Sequence, residues 1–140
     1  MQWAVDRDLA SFIAELCEEE AGRVAHPGFV PATFRVAVVG DDLVGRVSIR
    51  HVLTPRLASV GGHIGYAVRP AFRRQGFATE ILRQSLLIAR DQGIDAALVT
   101  CDEDNEGSRE VIGRCGGVPD GNAVDERSGK TKLRFWCPTS

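Results

Sequence analysis

A chain of 140 residues with a formal net charge of -2 is one domain's worth of sequence. A domain of that size buries roughly 68% of the surface its unfolded chain exposes, so it builds a core without disulfide or metal staples. Arginines and acidic residues alternate along it, which excludes the long basic tract that coats nucleic acid or an anionic membrane.

The opening "MQWAVDRDLA" has no basic segment followed by an apolar one, and no apolar run approaches the ~20 residues of a membrane span. The expectation is a soluble, cytoplasmic protein with a single domain over residues 1-140. Cys17, Cys101, Cys115 and Cys137 show no C-x-x-C spacing. They are expected to be reduced and mostly packed, with no metal site.

In chain order, Leu9, Phe12, Ile13, Leu16 and Cys17 fall at helical steps and predict an amphipathic helix from Asp6 to about Ala21. The prolines and glycines of "AGRVAHPGFVPA" mark a loop. Two β-branched runs, Thr33-Val39 and Leu43-Leu53, flank the turn "GDD" and predict an antiparallel hairpin. "TPRLASVGG" is a second loop. "HIGYAV", His63-Val68, is a strand that Pro70 ends, since proline brings no ladder donor and holds Arg69 extended.

Helical spacing resumes from Phe77 to Asp91, with Gly93 as its C-terminal cap. "IDAALVTC" (94-101) is a buried strand, "NEGSREVIGRC" a short helix closed by Gly116-Gly117, and "KLRFWC" a last strand after the polar loop "DERSGKT". The order predicts an α/β (α+β) domain, a mixed sheet with helices packed on it.

The loop "RPAFRRQG" enters the helix at Phe77 and is rich in donors. A helix's first turn presents unpaired N-H groups and the positive end of its dipole, and Gly76 lets an anion approach the backbone. Arg73 and Arg74 add charge-assisted contacts, and Ala78 stays small. Locally, a phosphate-binding junction and a solvated basic cap fit equally well. No G-x-x-x-x-G-K-S/T and no helix-opening G-x-G-x-x-G is present, so nucleoside triphosphatase and dinucleotide folds are unsupported.

"V-R-P-x-x-R-R-Q-G-x-A-T", Val68 to Thr79, resembles the acetyl-CoA pyrophosphate loop of the GNAT superfamily of N-acetyltransferases, with Arg73, Gly76 and Ala78 at its R/Q-x-x-G-x-G/A pattern. Asn105, Ser108 and Gly116-Gly117 resemble that superfamily's next motif, N-x-x-A/S on a helix ending in glycine. "GGHIGY" and "CDEDN" look like a subgroup of predicted acetyltransferases.

The resemblance implies a GNAT-like fold: a mostly antiparallel mixed sheet with flanking helices, whose strands His63-Val68 and Ile94-Cys101 splay apart. It implies acetyl-CoA as co-substrate and no metal. The pyrophosphate would lie on Arg73, Arg74, Gln75, Gly76, Phe77, Ala78 and Thr79, the pantetheine against Ala67 and Val68, and Asn105 with Ser108 across the cleft. The implied acceptor is a primary amine on a small molecule or peptide. A non-catalytic coenzyme A-binding module is the alternative, and a purely structural partner-binding domain a third. "MQWAV" is short for the strand with which the superfamily begins, and a sheet edge left open would suit a homodimer.

His63 is a candidate base because imidazole titrates near ~6.5, although the strand's alternation turns it away from the positions that supply a base in the superfamily. His51 and Arg50 end the hairpin within reach of an acceptor. Asp102, with Glu103 and Asp104, either relays a proton or caps the helix at Asn105. Ile112 occupies the place where many members carry a tyrosine acid. Tyr66, the chain's single tyrosine, is the remaining phenol, and its apolar strand predicts packing.

Overall fold

The computed structural model describes residues 30-140. The helix expected over Asp6-Ala21, the short start "MQWAV" and Cys17 lie outside the described residues. Six strands form a sheet in the order β1-β2-β3-β4-β6-β5. They are β1 (Ala32–Val39), β2 (Asp42–Arg50), β3 (Ile64–Val68), β4 (Ala96–Asp102), β5 (Val118–Asp125) and β6 (Lys130–Pro138). Two helices, α1 (Phe77–Asp91) and α2 (Glu106–Arg114), complete the described fold. All neighbouring strands are antiparallel except β3 and β4.

The apolar spacing of α1 buries Ile81, Leu82, Leu86 and Ala89 on one stripe. That stripe packs with Ile112 of α2 on Val47, Ile49, Ile64, Val99, Cys101 and Cys137, the residues that alternate onto one face of the sheet. Cys101 and Cys137 are buried free thiols and Cys115 a half-buried one. Burial pushes the Cys137 thiol up to about 11, which leaves it protonated and inert. Among the described residues no helix is long and apolar enough to cross a membrane, and no cluster of metal-ligating side chains is present.

The structure departs from the expected elements at three places. Residues 118-124, "VPDGNAV", have no predicted element, since Pro119, Asp120 and Gly121 are turn formers, yet Val118–Asp125 pairs with β6 as an edge strand, where proline is tolerated. The register slips between Pro119 and Asn122, and Asp120 ties the irregular stretch to Arg134 and to the Trp136 indole N-H at 2.7 Å. Next, β2 stops at Arg50 rather than Leu53, because its partner strand begins at Ala32 after Pro31. Finally, the loop after it contains a π-helical turn, Leu57–Gly61, closed by Gly62 N-H on Leu57 O.

The parallel pair β3/β4 decides where a site can form. The two strands share one register pair, Ile64 with Val99, and then diverge toward their C-terminal ends. His63 N-H donates to Leu98 O at 2.7 Å just before the divergence. Gly62 permits this approach with φ +71° and ψ -179°, a conformation essentially reserved for glycine, and a Cβ there would stand 2.5 Å from Leu98 O. Gly62→Ala should therefore cost about 2–3 kcal/mol, seen as a lower urea midpoint at unchanged m-value. A midpoint within error of the parent would show that the joint tolerates a side chain.

Candidate active site

The junction between β3 and α1 is built from short-range contacts. Pro70–Phe72 forms one 3-10 turn, the Phe72 ring meets Phe77 edge-on at 6.2 Å, and the Arg69 guanidinium lies 5.6 Å from the Phe72 centroid. Arg73 Nε donates to Val68 O at 3.2 Å and Gln75 Nε2 to Ala71 O at 3.3 Å. Gly76 has φ +86°, and Arg74, φ +61°, is the one non-glycine in the left-handed region among the described residues. A side chain at Gly76 would meet nothing within 4 Å.

Glycine is therefore not packed in at position 76; it leaves an open approach to backbone. No side chain caps α1, and among the described residues the N-H groups of Gly76, Phe77, Ala78 and Thr79 reach no carbonyl. Glu80 in the first turn would repel an anion, but Arg83 and then Gln84 bond its carboxylate and hold it down to about 2. The exposed Arg73, Arg74 and Gln75 surround this donor surface.

The gap between β3 and β4 opens beside it. Arg69 N-H donates to Val44 O, and antiparallel alternation from that bond turns the polar backbone groups of Ala67 toward β2 and those of Tyr66 and Val68 toward the gap. Val68 O is engaged by Arg73, and Val68 N-H is left facing the gap. On the far lip Asn105 caps α2, its Oδ1 accepting from Ser108 N-H at 3.1 Å, which leaves its Nδ2 to donate outward.

The catalytic candidates fall in different places. His63 is buried, and its Nδ1 accepts from Leu98 N-H at 2.9 Å, so the lone pair a base would use is occupied. Burial, and then the charge of Arg50, push its imidazole below the ordinary value. Asp102 bonds Lys132 and Lys130 across β4 and β6, which lowers its carboxyl. Its neighbours Glu103 and Asp104 are exposed. His51 Nε2 lies 2.8 Å from Thr33 Oγ1 at the far end of β2.

Tyr66 differs from all of these. Its ring packs on the core while its hydroxyl, shielded from water, faces Ser108 without closing a hydrogen bond of good geometry. Burial pushes the phenol above its ordinary value, the Ser108 hydroxyl opposing it.

Comparison with known proteins decides the family: the acetyltransferase (GNAT) domain matches residues 2–118. The chain belongs to the GNAT acetyltransferase family. Among solved structures, an acetyltransferase from Bacillus subtilis in complex with CoA is 15% identical, with a TM-score of 0.63 over 76% of each chain. A variant of spermidine N-acetyltransferase from Vibrio cholerae is 15% identical, with a TM-score of 0.65 over 100% of this chain and 82% of its own. Ribosomal-protein-S5-alanine acetyltransferase from Vibrio fischeri is 20% identical, with a TM-score of 0.58 over 78% and 62%. These likenesses agree in fold. No curated protein matches the sequence significantly.

In this GNAT domain Ile112 is fully buried in the core beneath Gly117, where a Cβ would stand 2.4 Å from the Ile112 side chain. The position expected for a tyrosine acid is thus a packing position. Arg46 is the site-flanking residue that element-by-element reading passes over. The signal was the period of two in "GRVSIR", which puts Arg46, Ser48 and Arg50 on one face.

His63 should titrate by NMR with a midpoint below roughly 6.5. Since folding favours its neutral form, its contribution to stability is complete above that value and is lost as pH falls below it. A midpoint at or above the ordinary value would contradict the Leu98-to-His63 hydrogen bond.

Proposed function

We propose that this domain transfers the acetyl group of acetyl-CoA to a primary amine of a small molecule or peptide terminus. The observation that carries the reading is the uncapped α1 N-terminus behind Gly76, opening beside the gap between β3 and β4. Four N-H groups, a left-handed glycine and exposed arginines suit a pyrophosphate. Val68 N-H and Asn105 Nδ2 suit the amide-bearing arm that follows it, which would add to β3 like a further strand. Relatives in fold that are named for spermidine and for a ribosomal-protein alanine act on amines, which supports the acceptor class. The narrower likeness of "GGHIGY" and "CDEDN" to an acetyltransferase subgroup, a single domain over 1-140, a cytoplasmic setting and a homodimer belong to the same reading.

The amine nitrogen attacks the thioester carbonyl carbon, the C-S bond breaks and an amide forms. Backbone N-H groups of β3 at the gap would stabilise the oxyanion. We assign the proton for the departing thiolate to Tyr66, because its shielded hydroxyl faces Ser108 without closing a hydrogen bond of good geometry, which packing alone does not explain. Its raised pKa keeps the proton in place at neutral pH. With His63 and Asp102 engaged elsewhere, the amine enters neutral, its surplus proton leaves to water, and the Tyr66 phenolate regains a proton from water once the thiol has left. Ile112 in the acid position also suits a coenzyme A-binding module without turnover, and thiol release across an amine panel separates the two.

Acetyl-CoA at 100 times its dissociation constant should contribute about 2.7 kcal/mol and raise the melting temperature by roughly 5–10 °C. Gly76→Glu should fold and lose that shift, because a carboxylate would stand where the pyrophosphate approaches; a full shift in the variant would put the phosphates elsewhere. Tyr66→Phe should lower turnover about 10²- to 10⁴-fold with acetyl-CoA affinity unchanged. Turnover within threefold of the parent would return Tyr66 to a packing role.

A further inference from the structure

Among the described residues both helices and the core lie on one face of the central sheet, and an acceptor that came to the thioester from the other face would meet β2. On that other face β2 presents Arg46 and Arg50, since Gly45, Val47 and Ile49 between them point to the helices. The facing residues of β3 are small. Arg46 pairs with Ala67, and a Cβ at Gly65 would lie 3.6 Å from Nη1 and Nη2 of Arg50. Arg50 Nη1 is anchored on the carbonyls of Gly61 and Gly62, each at 3.1 Å. Arg46 Nε is shielded from water and has no acceptor.

Nothing among the described residues neutralises this pair. Asp102 is taken by Lys130 and Lys132, Asp120 by Arg134 and the Trp136 indole, and Asp125 by Arg56. The two guanidinia feel each other: burial, and then Arg46, push Arg50 below its ordinary range. Two half-buried like charges beside a strand of small residues favour a bound anion.

We propose that Arg46 and Arg50 hold a carboxylate or phosphate carried by the amine acceptor itself, so that the acceptor is an acidic amine and not a polyamine. The assignment of this anion to the acceptor rests on the acetyl-transfer reading above. The Arg50 guanidinium fills the space over Gly65, and the small Ala67 opposite Arg46 leaves room for the amine to reach the gap.

The full chain, labelled for arginine Nε-Hε NMR, is titrated with inorganic phosphate, both free and saturated with coenzyme A so that the α1 junction is filled. The Arg46 Nε signal should shift saturably in both states. In turnover, O-phosphoethanolamine should exceed ethanolamine and spermidine by about tenfold in kcat/KM, and Arg46→Gln should erase that preference with KM for acetyl-CoA unchanged. A silent Arg46 signal, or a preference for spermidine, overturns the proposal. Failure to bind coenzyme A with a responsive Arg46 overturns acetyl transfer, and the acceptor assignment with it, which is a different outcome from a silent Arg46.

Discussion

β3 and β4 are parallel neighbours held by one register pair and by the His63-Leu98 contact before it. A parallel pair that continued would satisfy the gap-facing backbone of Tyr66 and Val68 and close the sheet. Because it diverges, those groups are left without a strand, and the sheet acquires a slot at the C-terminal ends of its central strands, where ligands characteristically bind in α/β sheets. The slot opens at the point where β3 hands over to α1. Gly62 makes the tight contact on one side of the divergence and Gly76 the open one on the other, so the two glycines act in opposite senses: one admits neighbouring backbone, the other leaves its own backbone uncovered.

The same divergence sorts the polar side chains. Those near the joint, His63 and Asp102, are spent on the structure, one on a backbone N-H and the other on two lysines. Those beside the slot are left with unused capacity: the Tyr66 hydroxyl on the helix side, Arg46 Nε on the opposite side, and Asn105 Nδ2 on the lip. Unsatisfied buried groups are costly and uncommon in folded proteins; among the described residues there are three such side-chain atoms, and two of them, Tyr66 Oη and Arg46 Nε, flank this opening while Arg134 Nε lies on β6 beside Asp120.

Much of this was legible in the residues. The α1 boundaries, Phe77 and Asp91, follow from helical spacing between Gly76 and Gly93, and the hairpin from its β-branched runs. The donor-rich junction before α1 was legible because its features are local, a few consecutive donors and one glycine. Strand β5 was not, because Pro119 and Gly121 speak for a turn and only pairing with β6 overrides them. The engagement of His63 was legible only in part: alternation turns it from the site, while its bond to Leu98 depends on a residue 35 positions away. The unpaired state of the Tyr66 hydroxyl was hidden for the opposite reason, since an apolar strand predicts burial of the ring and says nothing of what its oxygen meets.

The central claim is that one continuous surface, from Val68 N-H to the first turn of α1, receives the cofactor. Amide hydrogen exchange of the full chain with and without coenzyme A tests it most directly. The account predicts that coenzyme A slows exchange at Val68 and at Gly76 to Thr79 together, with little change along β5. Unchanged exchange at these amides in protein saturated with coenzyme A, or protection confined to another part of the sheet, would contradict it.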